Sequence, residues 1–247
     1  MVLAWIMGFS LLGSIGSTAG AAAVLLFPDA MRRRIVPCLL SYATGTLLAA
    51  AFLGMIPAGL RDADASNVTA TVLGGIVLFF VLEKLVIWRH CHADDCEVHG
   101  QAAPLILIGD AFHNAIDGVV IAAAFHTSIP LGVAAAVAVI GHEIPQEVGD
   151  FAILLEAGYN RRKAFLLNSL SAAATLPAAV AGYFWLEQAS GAVPYLLAVA
   201  AASFIYIATA DLIPSLHHQT APASSLRQLV LLLGGIGTIV LLRAVSA

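Results

Sequence analysis

Gly109-Asp110-Ala111-Phe112-His113-Asn114-Ala115-Ile116-Asp117-Gly118 and, further along, Gly141-His142-Glu143-Ile144-Pro145-Gln146-Glu147-Val148-Gly149-Asp150 decide how this chain is read. Each stretch lies in the middle of an apolar segment long enough to cross a bilayer. Ionisable side chains are costly at that depth and face a bundle interior or a substrate path when they occur. The groups here are imidazoles and carboxylates, which are metal ligands.

The surrounding sequence fixes the class. Of 247 residues, 60% are hydrophobic and 11% charged, and the mean hydropathy is +0.94. A soluble domain carries roughly 25% charged residues, so the composition predicts an integral membrane protein. No basic patch points to nucleic acid. Apolar stretches of spanning length fall at 3–27, 36–60, 68–88, 102–125, 131–155, 164–186, 193–216 and 226–245. The first has no basic region before it and is too long for a signal-peptide core, so it reads as a retained helix. The expected fold is an all-α bundle of eight transmembrane helices forming a single domain over 1–247. Arg32, Arg33, Arg34, Arg89, Arg161, Arg162, Lys163 and Arg227 follow odd-numbered spans, whereas Arg61 and Arg243 lie on the other side. By the positive-inside rule both termini are then extracytoplasmic. Met55-Ile56-Pro57 near the end of span 2 and Leu212-Ile213-Pro214 near the end of span 7 echo each other on oppositely directed helices. That echo fits an inverted repeat of spans 1–3 with 6–8 around spans 4 and 5.

At about 100° per residue, Asp110, His113, Asn114 and Asp117 occupy one arc of roughly 100° on span 4. His142, Glu143, Gln146, Glu147 and Asp150 occupy roughly 140° of span 5. Each histidine lies about eleven residues into its span, roughly 17 Å deep and near the middle of a ~30 Å hydrocarbon core. The two faces can therefore share one site. Imidazole mixed with oxygen donors suits a borderline ion such as Zn²⁺, with Fe²⁺, Mn²⁺ and Cd²⁺ behind it, better than Mg²⁺ or Ca²⁺. Pro145 frees the carbonyl of Gly141 beside His142 and is expected to kink the helix, as suits a path more than a closed structural site. Interhelical hydrogen bonding would account for one buried His. It accounts poorly for two histidines and several carboxylates at one depth.

At these residues the chain resembles the ZIP family of divalent metal transporters. The family's fourth helix carries HNxxDG, matched by His113-Asn114-Ala115-Ile116-Asp117-Gly118. In one subfamily the fifth carries HExPHExGDFA, matched except at one position by His142 through Ala152. Phe79-Phe80-Val81-Leu82-Glu83-Lys84 is also similar. The resemblance implies a 3+2+3 helix arrangement and transport of divalent cations, foremost Zn²⁺, toward the cytoplasm. Mapped by motif, His113, Asn114, Asp117, His142 and Glu143 are implied ligands of a one- or two-metal centre. Gln146 departs from the pattern, standing where the subfamily has His, and a neutral amide is a weak ligand and a poor bridge. Glu147 is a lesser candidate because it points about 100° away from Gln146.

Further expectations concern the path. The cytoplasmic loop 89–101 packs His90, His92 and His99 with Cys91, Cys96 and acids, and offers a second metal-binding segment. Asp110, Asp150 and Asp211 are candidate pathway residues. The implied location is the cell membrane, inner or plasma, and small-residue helix faces would accommodate a homodimer. Two rival functions would use a similar site. His142-Glu143-Ile144-Pro145-Gln146 falls one residue short of the HExxH of zinc proteases, which suggests an intramembrane metalloprotease, and a metal-gated sensor would also need buried ligands. The protease reading lacks its second histidine and leaves the span 4 motif unused.

Overall fold

The computed structural model describes residues 1–90, 99–218 and 221–244, with side chains described for all of these except 85–90 and 99–106. Regular structure among them is entirely helical. Among the described residues, eight helical spans are long and apolar enough to cross a bilayer: α1 Val2–Leu25, α2 Asp29–Asp62, α3 Ala65–Lys84, α4 Leu107–Thr127, α5 Ile129–Glu156, α6 Arg161–Gln188, α7 Ser190–His217 and α8 Pro222–Ala244. The helix containing α3 continues to His90, and the one containing α4 begins at His99. The loop candidates His90, His92 and His99 lie outside the residues whose side chains are described.

Local chemistry explains where several helices start and stop. Only Ser128 separates α4 from α5, which fixes the two as antiparallel neighbours. Its hydroxyl accepts the Leu131 N–H at 3.3 Å, and Pro130 occupies the first turn where a missing N–H is harmless. At α6 the Asn160 side chain accepts the Lys163 N–H at 2.9 Å. The α2 helix begins at Asp29, earlier than the apolar stretch starting at 36. Pro28 is extended, Asp29 occupies the first turn, and Arg32 pairs with Asp29 one turn on. Hydropathy registers only the apolar part of such a helix and misses its basic interfacial turn.

Within the described residues, π-helical segments interrupt the spans at Leu12–Gly16, Ala50–Met55 and Ile207–Leu212. The last two each precede an Ile-Pro pair, at Pro57 and Pro214. A proline inside a regular helix clashes with the carbonyl four residues back, and a wider turn relieves that contact. In α5, by contrast, the helix is continuous from Ile129 to Glu156 with Pro145 inside it.

Close backbone contacts set the packing. Gly45 of α2 presses on the Leu232 carbonyl of α8, and Gly235 of α8 on the Tyr42 carbonyl of α2. The Tyr42 hydroxyl and Thr238 Oγ1 lie 2.9 Å apart across the same seam. Gly118 of α4 meets the Thr175 carbonyl of α6. The principal pairings are α2 with α7 and α8, α3 with α7, α4 with α6, and α5 with α1, α2 and α4. The core between them holds Phe125, Phe204, Leu47, Met55 and Ile121. Leu73, Val77 and Phe80 of α3 and Leu229, Val230 and Leu233 of α8 point outward as apolar faces. Gly45→Val should therefore lower the thermal midpoint of the detergent-purified protein by an overpacking cost of about 1–3 kcal/mol or more. Gly8→Ala, which meets open space, should leave the midpoint nearly unchanged.

Candidate metal centre

Helices α4 and α5 bring four side chains together. His113 and Asp117 are one turn apart on α4, and His142 and Glu143 are adjacent on α5. One ligand atom from each lies within 4.8 Å of all the others. His113 Nε2 is 3.2 Å from His142 Nε2, 3.5 Å from Glu143 Oε1 and 3.8 Å from Asp117 Oδ2. His142 Nε2 is 3.2 Å from Asp117 Oδ2 and 3.7 Å from Glu143 Oε1. Four ligands around a zinc ion at its usual bond lengths sit ~3.3 Å apart at the corners of a tetrahedron. The observed separations surround that value.

The orientation of each group fits the same reading. His142 Nδ1 is 2.9 Å from the Ala138 carbonyl oxygen. A carbonyl only accepts, so Nδ1 carries a proton and the neutral ring presents the lone pair of Nε2 to the cluster. That lone pair faces the His113 ring nitrogen and a carboxylate oxygen. The arrangement is favourable only with a proton or a metal ion between them. Phe204 of α7 backs the His142 ring edge-on, with centroids 6.0 Å apart. Asp117 and Glu143 are fully buried, and none of their four carboxylate oxygens has a hydrogen-bond partner. An ionised carboxylate left so in an apolar interior is strongly disfavoured unless a cation meets it. The His113 side chain, 20% exposed, is the open side of the cluster.

The other sequence candidates form a surrounding layer. Asn114 is fully buried, but its Nδ2 donates to the Asp110 carbonyl and carboxylate at 3.1 and 3.0 Å, and its Oδ1 accepts from the Thr175 hydroxyl at 2.9 Å. Gln146 Nε2 donates to Asp110 Oδ1 at 3.2 Å. Glu147 faces away from the cluster. Its Oε1 accepts from Thr18 of α1 at 3.2 Å and its Oε2 from Asn168 of α6, whose amide also reaches the Glu147 carbonyl at 3.3 Å. Asp150 is half-buried one turn beyond Gln146, and Asp211 is exposed in the π segment of α7. Thr18, Asn168, Thr175 and Phe204 escaped sequence reading. Their only local signals were polar residues at helical spacing, Ser14-Ser17-Thr18 on α1 and Asn168-Ser171-Thr175 on α6. Glu83 and Lys84 do not pair with each other. Glu83 accepts from the Tyr206 hydroxyl, and Lys84 Nζ lies 5.8 Å from the Phe80 ring centroid.

A helical bundle whose apolar spans enclose imidazoles and partnerless carboxylates is an integral membrane protein built around a cluster able to hold a metal ion. The family model described as ZIP zinc transporter matches residues 88–243, and the chain belongs to that family. Relatives include zinc transporter YKE4 of Saccharomyces cerevisiae, 29% identical over 221 residues that cover 77% of this chain and 64% of the relative. Human zinc transporter ZIP6 is 38% identical over 117 residues, 47% of this chain and 16% of that protein. Human zinc transporter SLC39A7 is 37% identical over 145 residues, 56% of this chain and 31% of that protein. The chain thus spans less than two thirds of the length of these curated relatives.

The Glu147 bracket separates a supporting role from a liganding one. Glu147→Ala strands the Thr18 hydroxyl and Asn168 amide and should destabilise the protein by about 1–3 kcal/mol for each group left unpaired. Glu147→Gln should fold and keep zinc affinity within about tenfold of the parent, the mild end of the usual cost of altering a ligand's supporting contacts. Calorimetric titration of the purified variants checks this, and a folded Glu147→Gln with no zinc binding would make Glu147 a ligand.

Proposed function

We propose that the chain moves divalent transition-metal cations, foremost Zn²⁺, across the bilayer toward the cytoplasm, and that His113, Asp117, His142 and Glu143 form the site through which they pass. The buried tetrad carries this reading: two imidazole lone pairs and two partnerless carboxylates converge on a volume the size of one ion. Mixed nitrogen and oxygen donors favour Zn²⁺ and accept Cd²⁺, Fe²⁺ and Mn²⁺. Asn114, Gln146 and Glu147 support the tetrad from behind, since their amides and carboxylate are taken up by Asp110, Thr175, Thr18 and Asn168. Asp110, Asp150 and Asp211 belong to the path, and the loop 89–101 receives the ion on the cytoplasmic side. Gln146, engaged with Asp110, is a poor second zinc ligand, which speaks against the protease alternative.

An arriving ion exchanges water for the four side chains, with His113 as the partly open face. The surrounding helices then expose the site to each side in turn. Support for an inverted repeat comes from packing as well as from the Ile-Pro echo. Exchanging helices 1–3 for 6–8 and 4 for 5 turns the α2–α8 seam into the α7–α3 seam, and the α4–α6 seam into the α5–α1 seam. The paired π segments before Pro57 and Pro214 obey the same exchange. The distribution of Lys and Arg supports external termini in an inner or plasma membrane. The outward faces of α3 and α8 meet lipid or a second copy of the chain.

Proteoliposomes loaded with a zinc-sensitive dye test the proposal. His113→Ala and His142→Ala should each reduce Zn²⁺ entry at least about 100-fold, more than the loss of a supporting contact costs, while still reaching the membrane folded. Near-parental entry in both refutes the site. Metal binding needs deprotonated ligands. Entry should therefore be full at neutral pH and fall as the external medium is made acidic.

A further inference from the structure

On the side of α4 roughly opposite His113, Asn114 and Asp117 lie Phe112, Ala115, Ile116, Val119, Val120 and Ala123, which form one apolar stripe at helical spacing. The stripe is one wall of a cavity of about 330 Å³, whose other walls include Leu78 and Phe79 of α3, Ala178 of α6, and Val199 and Ala200 of α7. Alanines at 115, 123, 178 and 200 leave the space that larger side chains would fill. The cavity follows α4 from Phe112 to Ala123, about 16 Å along the helix axis, which makes it a slot rather than a round pocket. An apolar cavity of about 150 Å³ already admits a benzene ring. This one is roughly twice as large.

The slot begins beside His113 and continues past Asp117, so it lies at the depth of the tetrad, near the middle of the hydrocarbon core. Leu78 and Phe112 line it and are also 48% and 60% exposed on the outside of the bundle. The surface that α3 and α4 turn to the bilayer therefore runs into the slot without a break. Every residue lining it is apolar. Water finds no hydrogen bond there, and an empty slot forfeits the dispersion contacts of its walls. Helices in lipid have no hydrophobic drive to close such a crevice on their own. The molecules that meet its mouth at this depth are acyl chains.

We propose that the slot between α3, α4 and α7 is a binding site for one acyl chain of a membrane phospholipid. The chain enters past Leu78 and Phe112 and covers Val120 and Ala200, both buried, on the floor of the slot. Seated there, it backs the helix that carries His113 and Asp117 on its other side. It occupies the space through which α4 would move toward α3, and so stiffens one wall of the tetrad from the bilayer side. The site rests on the placement and depth of the helices alone. It stands whatever the tetrad carries.

Photolabelling of the full chain tests the slot. The protein is placed in nanodiscs of phosphatidylcholine doped with an analogue that carries a diazirine midway along one acyl chain, irradiated, and mapped by mass spectrometry. The expected result is label on Val120 and Ala200, which only a chain inside the slot reaches, as well as on outward side chains such as Leu73 of α3 and Leu233 of α8. Ala178→Leu and Val199→Phe put larger side chains into the slot and should each remove the label from Val120 and Ala200 while leaving the outward label unchanged. Phosphatidylcholine added to the detergent-purified protein should also raise the thermal midpoint of the parent more than that of either variant, because a ligand of the folded state stabilises it by mass action. Label confined to outward side chains in the parent overturns the proposal, whether the slot is then closed or taken by a second copy of the chain. Label on Val120 and Ala200 that survives both substitutions overturns it as well. The pattern in the parent decides the question even if neither variant folds.

Discussion

Two carboxylates with no hydrogen-bond partner, Asp117 and Glu143, are buried at the contact of two membrane helices, and much of the structure serves to make that arrangement tolerable. In an apolar medium such groups demand a cation or a proton. The His113 and His142 nitrogens 3.2 Å apart beside them have the same need, because two imidazole nitrogens that close require a proton or a cation between them. A divalent ion resolves both demands at once.

Holding such a cluster open requires that nothing else in the protein satisfy it. The surrounding layer does this by occupying its own polar groups. Asn114 is turned to Thr175 and Asp110, Glu147 is bracketed by Thr18 and Asn168, and His142 Nδ1 is tied to the Ala138 carbonyl. Phe204 fills the space behind the His142 ring. These contacts run from α4 and α5 to α1, α6 and α7. Small residues let the backbones come close enough to make them, as where Gly118 meets Thr175. Packing and site chemistry are therefore one problem here. A bulkier residue at 118 would disturb the helix that presents Thr175 to Asn114.

The eight spans were legible because an uninterrupted apolar run of bilayer length rarely arises except to cross a bilayer, and their order survives in the structure with shifted ends. The start of α2 at Asp29 was not legible, since a charged interfacial turn carries no hydropathy signal. The π segments before Pro57 and Pro214 were visible only as prolines near helix ends. At the site, helical spacing put His113 and Asp117 on one face and His142 and Glu143 on another, each within a larger polar set, and it was the resemblance to the ZIP family that singled out these four together with Asn114. The directions of Asn114, Gln146 and Glu147 were not legible. Their partners Thr175, Asp110, Thr18 and Asn168 lie mostly on other helices, and whether an amide turns inward or sideways depends on contacts that local sequence does not specify. Belonging to the ZIP zinc transporter family does not settle Gln146 either, whose hydrogen bond to Asp110 is a property of this chain.

X-ray absorption at the zinc edge on the purified, zinc-loaded protein tests the tetrad most directly, because it reports which atoms hold the ion without needing transport. The expected spectrum shows a first shell of nitrogen and oxygen at about 2.0–2.1 Å, with the outer-shell scattering of two imidazoles and no sulfur. Loss of one imidazole's contribution should accompany His142→Ala. A shell containing sulfur, or oxygen alone with no imidazole scattering, would contradict a site built from His113, Asp117, His142 and Glu143.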